Sequence, residues 1–458
     1  MEKGTDVMKG DLTKGSVMGS MLRFAVPMIL GNLLQQCYNV ADTLIVGRFL
    51  GPDPLAAVGA AFTLMTFLTS ILLGLCMGSG AVFSIRFGQK DEKALKEGMA
   101  ASFVLIAALT AALNVAAFLC LDGIQIFLQV PEGIWGYMRD YLAVIFCGIA
   151  GTFLYNYFAS LLRAVGNSVV PLVFLAISAA LNIVLDLWFV VGLERGVAGA
   201  AEATIIAQYV SGIGLALYTW LRFPALRIGR GYWRVRRERI REIGSFSVLT
   251  CVQQSVMNLG ILMVQGLVNS FGPAVMTAFA AGVKIDAFAY LPVQDFGNAF
   301  STFIAQNYGA GKKERIRAGL KGAVITAVVF GAASSAVVWF LARPLMLLFV
   351  DAGETAILAE GVCYLHIEGA FYCGIGCLFL LYGLYRAIGR PGMSVVLTVI
   401  SLGTRVALAY LLSAVPAWGV MGIWWSVPIG WFLADAAGFL YYVVRKKRLL
   451  AWKEKRAD

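Results

Sequence analysis

Residues 24–61 read FAVPMILGNLLQQCYNVADTLIVGRFLGPDPLAAVGAA. The first 23 positions of this stretch, 24–46, form an apolar tract interrupted by amides and by one carboxyl, Asp42. Gly51-Pro52 closes the tract and a second one runs from 55 to 85. A helix crossing a bilayer needs about 20 apolar residues, so the stretch predicts two spans joined by a short Gly-Pro turn. Outward from it the pattern continues. Further apolar tracts lie at 98–121, 137–160, 169–192 and 198–221, and, beyond a basic interval, at 244–270, 274–305, 320–342, 356–384, 393–415 and 419–444. Of the 458 residues, 60% are hydrophobic and 14% charged, against roughly 25% charged in soluble domains. That balance excludes a soluble enzyme, a disordered chain and a secreted disulfide scaffold. The strict alternation of a membrane β-barrel is missing, so the spans are helices. Fifty glycines suit helices that pack closely in lipid.

The two halves repeat. Gly51-Pro52 returns as Gly272-Pro273, and Phe87-Gly88 with Gly98 returns as Tyr308-Gly309 with Gly319, all at an offset of 221. Arg163-Ala164-Val165-Gly166 returns as Arg386-Ala387-Ile388-Gly389, and Gln35-Gln36 as Gln253-Gln254. The expected architecture is an all-α polytopic membrane protein of twelve transmembrane helices. They form two six-helix bundles related by a pseudo-two-fold axis along the membrane normal, because an even number of spans gives both copies the same orientation. The expected divisions are a cytoplasmic N-terminal segment 1–20, an N-lobe 21–221, a basic cytoplasmic linker 222–243, a C-lobe 244–444 and a basic tail 445–458.

Charge sets orientation. With the N-terminus in the cytoplasm, 31 Lys and Arg fall on the cytoplasmic side and only Arg48, Arg139, Arg195 and Arg343 outside. Both termini are therefore expected in the cytoplasm, with the chain in a plasma membrane. The net charge of +11 reads as a topology signal that also favours anionic lipid, not nucleic acid. Compact duplicated bundles favour a transporter, working as a monomer, over a channel. The eight cysteines all lie in apolar tracts and read as small buried residues. One histidine, His366, builds no metal cluster. GAGKKE at 309–314 lacks the spacing of a phosphate loop, so no ATP-driven step and no cofactor is expected. Without a catalytic cluster, an enzyme is not expected either.

Charged groups inside spans are costly and default to function. Asp42 lies about 19 residues into the first helix from Arg23 and Asp186 about 18 into the fifth from Ser168. At about 1.5 Å per residue both carboxyls reach the same depth in the outer half of the bilayer. Asn39 and Asn182 share their faces, one turn earlier. This set is suited to sharing a proton or holding a cation, Na⁺ included; the bland alternative is a hydrogen bond from each carboxyl to a neighbouring helix. The second half has Ile261 and Ala409 at the corresponding positions, so coupling is expected in the N-lobe. In the C-lobe, Lys284 and Asp286 lie mid-span on the eighth helix and Glu368 on the tenth. Lys284 is expected either to serve a substrate cavity or to pair with Glu368, Asp286 or Asp42. Gln36 and Gln254, one from each Gln-Gln repeat, join this polar set. Pro27 is placed near the start of its helix, where no hydrogen bond is lost. Gly88, Gly309, Gly166 and Gly389 are read as helix C-caps.

The stretch 24–61, the turn FGQKDEKA with its copy YGAGKKER, and the pair RAVGNSVVP/RAIGRPGMS resemble the multidrug and toxic compound extrusion (MATE) family of the MOP flippase superfamily. The resemblance covers about 15–445. It implies an antiporter of two six-helix lobes that exports organic cations or other amphiphilic small molecules against inward H⁺ or Na⁺. Asp42 sits at the family's first-helix acid. Asp186 and Asn182, joined by Thr204, match the fifth- and sixth-helix network of the DinF-like branch. The seventh helix, SFSVLTCVQQSVMNLGIL, lacks the acid that other branches carry there. A lipid or lipid-linked saccharide flippase of the same superfamily is the alternative.

Overall fold

The computed structural model describes residues 10–123, 132–233 and 236–449. The outer parts of the expected N-terminal segment and tail, 1–9 and 450–458, lie outside them. All the regular structure among the described residues is helical. In chain order the helices are α1 (Val17–Phe49), α2 (Pro52–Gly88), α3 (Glu92–Leu119), α4 (Trp135–Ile145), α5 (Ile149–Ala164), α6 (Val169–Asp186), α7 (Gly196–Arg222), α8 (Arg237–Asn269), α9 (Pro273–Gly309), α10 (Lys313–Met346), α11 (Thr355–Gly369), α12 (Tyr372–Ala387), α13 (Pro391–Ser413) and α14 (Gly419–Leu449). Among the described residues eleven helical runs are long and apolar enough to cross a membrane, and α11 with α12 makes a twelfth span bent by 50°. The tract 356–384, expected as one helix, is thus broken after Gly369. The fourth span carries a 3-10 turn at Phe146–Gly148 between α4 and α5, and α6 runs on as a π-helical segment, Leu187–Gly192.

Local chemistry explains the ends. Gly51 and Gly272 take φ of 95° and 98° ahead of Pro52 and Pro273, which stand at the first helical position where a missing N–H costs nothing. Gly166 and Gly389, at φ 86° and 79°, are left-handed residues just past α5 and α12, as expected of C-caps. Gly88 and Gly309 do end their helices, but the left-handed residues are Lys90 and Gly311, two positions later. Pro27 lies well inside α1, because the polar residues from Val17 on are already helical; the expectation that it sits at the helix start was wrong.

The chain divides into two compact units. Among the described residues, one holds 10–11 and Val26–Cys251; the other holds Leu12–Ala25 and 252–449. The division therefore falls inside α1 and inside α8 and not in the linker 222–243. The linker belongs with the first unit, where Trp233 packs edge-on against Phe103 with ring centroids 6.1 Å apart.

In the first unit α7 lies against α5 and α6. A Cβ on Gly212 would come within 2.7 Å of the Gly151 carbonyl oxygen, so glycine is what allows α7 and α5 to touch backbone to backbone. In the second unit α9 packs on α11 and α12, and α13 on α14.

Candidate functional site

Two buried polar clusters stand out, one within each unit.

The first is built on α1, α6 and α7. Asp42, half-buried on α1, and Asp186, wholly buried at the last residue of α6, have carboxyls that face one another closely enough to share a hydrogen bond. Both are acceptors when ionised, so no bond joins them until one carries a proton. Accordingly Asp42 Oδ1 and both Asp186 oxygens are buried with no hydrogen-bond partner among the described residues. Asn182, one turn before Asp186, donates its amide to Thr204 Oγ1 at 3.3 Å and leaves its Oδ1 equally unpartnered. Three buried carboxyl oxygens from two helices, α1 and α6, with the Asn182 oxygen one turn earlier on α6, thus have no donor among the described residues. Leaving a carboxylate so buried costs several kcal/mol, and a proton or a small cation among these oxygens is the direct relief. Asp186 owes its position to the change from α to π winding after it, a local widening common at functional sites.

Asn39 is near this cluster in sequence, and its main-chain carbonyl accepts a hydrogen bond from Thr43 Oγ1 at 2.8 Å. Sequence reasoning missed two tyrosines. Tyr38, one turn before Asp42, and the buried Tyr141 of α4 both lie within electrostatic reach of the acids. Spacing from Asp42 could have found Tyr38; nothing local to α4 marks Tyr141.

The second cluster lies in the other unit. Asp286 on α9 accepts hydrogen bonds from Tyr364 of α11 and Tyr372 of α12. The Tyr364 hydroxyl also lies 2.9 Å from Glu368 Oε2. One hydroxyl carries one proton, so Tyr364 can donate to only one of the two carboxyls at a time. Arg405 of α13 lies within electrostatic reach of both acids, and its Nε is buried without a partner among the described residues. Tyr364 is fixed by its surroundings. Its ring stands edge-on to Phe279 and Trp424 at 5.5 Å and 4.9 Å, those two stack on each other at 5.4 Å, and Gly282 presses on its face. The break between α11 and α12 puts Glu368 and Tyr372 on either side of the bend, both reaching Asp286 from one span.

Lys284 does not join this cluster. The expected ion pair with Asp286 or Glu368 is absent among the described residues, and Lys284 instead lies exposed over the Phe349 ring at 5.8 Å. Residues two apart on a helix point to opposite sides, so Lys284 and Asp286 cannot serve one site. Gln36 is half-buried on α1 and Gln254 buried on α8; the structure brings neither into a hydrogen bond with either cluster. Arg386 is buried and donates to Asn298 Oδ1 at 3.0 Å.

A family model described as MatE matches residues 27–188 and 248–411. The chain is 30% identical over 435 residues to a probable multidrug resistance protein, YpnP, of Bacillus subtilis, covering 94% of this chain and 96% of that one. It is 22% identical to the multidrug export protein MepA of Staphylococcus aureus, over 95% of this chain and 96% of the relative. Among solved structures, a MOP superfamily transporter from Pyrococcus furiosus superposes with a TM-score of 0.90 at 23% identity, over 97% of this chain and 99% of that one. An outward-facing multidrug resistance MATE transporter matches with the same TM-score, 0.90. The relatives across nearly the whole chain are transporters, not enzymes. The chain belongs to the MATE family.

Proposed function

We propose that this chain is a secondary active exporter of amphiphilic small molecules, organic cations above all, driven by H⁺ or Na⁺ entering through the Asp42–Asp186 pair of the first unit. One observation carries the reading: two facing carboxyls, with the Asn182 oxygen one turn before Asp186 on the same helix, are buried without a donor among the described residues. A group of this kind has two states, empty with both carboxyls charged or occupied with the charge reduced by one, and a transporter needs such a pair of states. Occupancy by one proton lets one acid donate to the other; Na⁺ would draw on the same oxygens. Coupling then follows if substrate and ion each favour a different state. The names of the relatives support small-molecule export, and the excess of Lys and Arg on one side of the spans supports a plasma-membrane protein with both termini in the cytoplasm. In this reading the chain works as a monomer.

The test is efflux of a fluorescent organic cation such as ethidium from proteoliposomes, under an imposed pH or Na⁺ gradient, for wild type and Asp42→Asn. Gradient-driven efflux that the variant loses is the expected result and names the ion. Normal efflux by Asp42→Asn overturns the coupling assignment. No efflux under either gradient, from folded protein, moves the chain to the flippase reading, with labelled lipids as the next substrates.

A further inference from the structure

Residues 12–15 precede α1 and lie in the second unit, seated on the turn between α9 and α10. Leu12 N–H donates to Gln306 Oε1 at 3.0 Å, and Asn307 Nδ2 donates back to the Leu12 carbonyl at 3.2 Å. Arg315 then closes over the segment. Its guanidinium donates to the carbonyls of Gly15 at 2.7 Å and of Leu12 and Lys14 at 3.1 Å each, while its Nε is oriented by Asn307 Oδ1 at 3.1 Å. Lys312 adds a bond to the Thr13 carbonyl at 2.7 Å. Gln306 and Asn307 are wholly buried and Leu12 is 4% exposed. This is a made seat and not a loose surface contact. Most of its bonds go to backbone carbonyls, so it grips the main chain of a turned segment more than its side chains.

The first unit has a counterpart. There the turn between α2 and α3 seats the leading stretch of α8: Arg86 pairs with Glu242, and Arg239 with Glu97 at 3.1 Å. A Cβ on Gly78 would come within 2.4 Å of the Phe246 carbonyl oxygen, so this stretch is seated tightly as well. In each repeat, then, the same helix–turn–helix clamps the lead-in to a first helix whose remainder belongs to the other unit.

Connectivity gives this a consequence. A helix anchored at one end in one unit and along its length in the other cannot follow any displacement between them unless it bends or its anchored end lets go. We propose that residues 12–15 are a releasable strap, and that in the transport cycle α1 follows such a displacement by leaving the Arg315 clamp and not by bending with the clamp closed. The proposal rests on the chain being a transporter whose units move, not on which ion drives it.

The test pins the strap. In a background with the eight native cysteines replaced, Thr13→Cys and Lys312→Cys are linked by a short bis-methanethiosulfonate that reductant removes. Dye efflux is expected to fall at least tenfold when linked and to return on reduction. Full-rate efflux by the linked protein overturns the proposal, and so does failure of the two positions to link in membranes. A second arm needs no transport activity, so it separates this idea from the export reading, and it serves if the paired variant does not fold. In inside-out vesicles, Arg315→Ala is expected to expose Lys14 to trypsin about tenfold faster than wild type, with Arg315→Lys in between. Equal cleavage of all three proteins overturns the clamp.

Discussion

Asn182 gives its amide hydrogen to the Thr204 hydroxyl oxygen across 3.3 Å, and this one bond decides which way the Asn182 side chain faces. With the amide nitrogen on Thr204, the carbonyl oxygen is turned away from it and left without a donor. Thr204→Val removes the acceptor and frees the side chain to flip. The variant is expected to lose about 1 kcal/mol of stability, read as a drop of a few degrees in thermal unfolding in detergent, and to need severalfold more of the coupling ion for half-maximal efflux. Thr204→Ser keeps the oxygen and should restore both. An unaltered ion requirement in Thr204→Val would return Asn182 to a packing role.

The two acids are expected to act as one unit. Asp42→Asn and Asp186→Asn should each lower gradient-driven efflux by at least tenfold, and the double variant should be no worse than the more damaged single one, since residues sharing one function are not additive. Efflux rates from the four proteins in matched proteoliposomes check this. A multiplicative loss in the double variant would separate the carboxyls into independent sites.

Gly282 has no room for a side chain. A Cβ there would sit 2.4 Å from Tyr364 Cδ1, against a ring already held by Phe279 and Trp424. Gly282→Ala should therefore cost about 1–3 kcal/mol and displace the hydroxyl that touches Asp286 and Glu368. Gly266, with nothing within 4 Å of its Cβ position, is the control, and Gly266→Ala should unfold at or above the wild-type temperature. Equal melting of both variants would show that the ring yields.

Lys284→Gln should transport within twofold of wild type. The side chain is exposed over Phe349, outside the Asp286 cluster. A tenfold loss in ethidium efflux would put the charge back into the mechanism.

Much of this was legible without coordinates. Spans announce themselves by length and composition, and an acid such as Asp42 or Asp186 inside an apolar tract is conspicuous because burying it is expensive. Depth along a helix also follows from counting, which is why these two could be expected at one level. Azimuth across helices does not. Lys284 and Asp286 share a depth and look like partners, yet two residues of separation send them to opposite sides. Tyr141, Tyr364 and Tyr372 were invisible for a different reason: tyrosine is ordinary in membrane helices, and only the packing of α4, α11 and α12 reveals which hydroxyls reach an acid. The break after Gly369 was missed because Gly369-Ala370-Phe371 is apolar throughout and leaves no mark in hydropathy. The unit boundaries inside α1 and α8 were hidden because a continuous helix carries no sequence signal where its neighbours change.

That crossing of α1 and α8 also sets a schedule for synthesis. Leu12 leaves the ribosome 294 positions before Gln306, its seat. Throughout the insertion of the first seven spans the lead-in to α1 has nowhere to dock, whereas the lead-in to α8 meets Arg86 and Glu97 as soon as it emerges. The first unit can therefore be finished on the nascent chain, and the second closes only when the lead-in to α1 meets the turn between α9 and α10, made long after it.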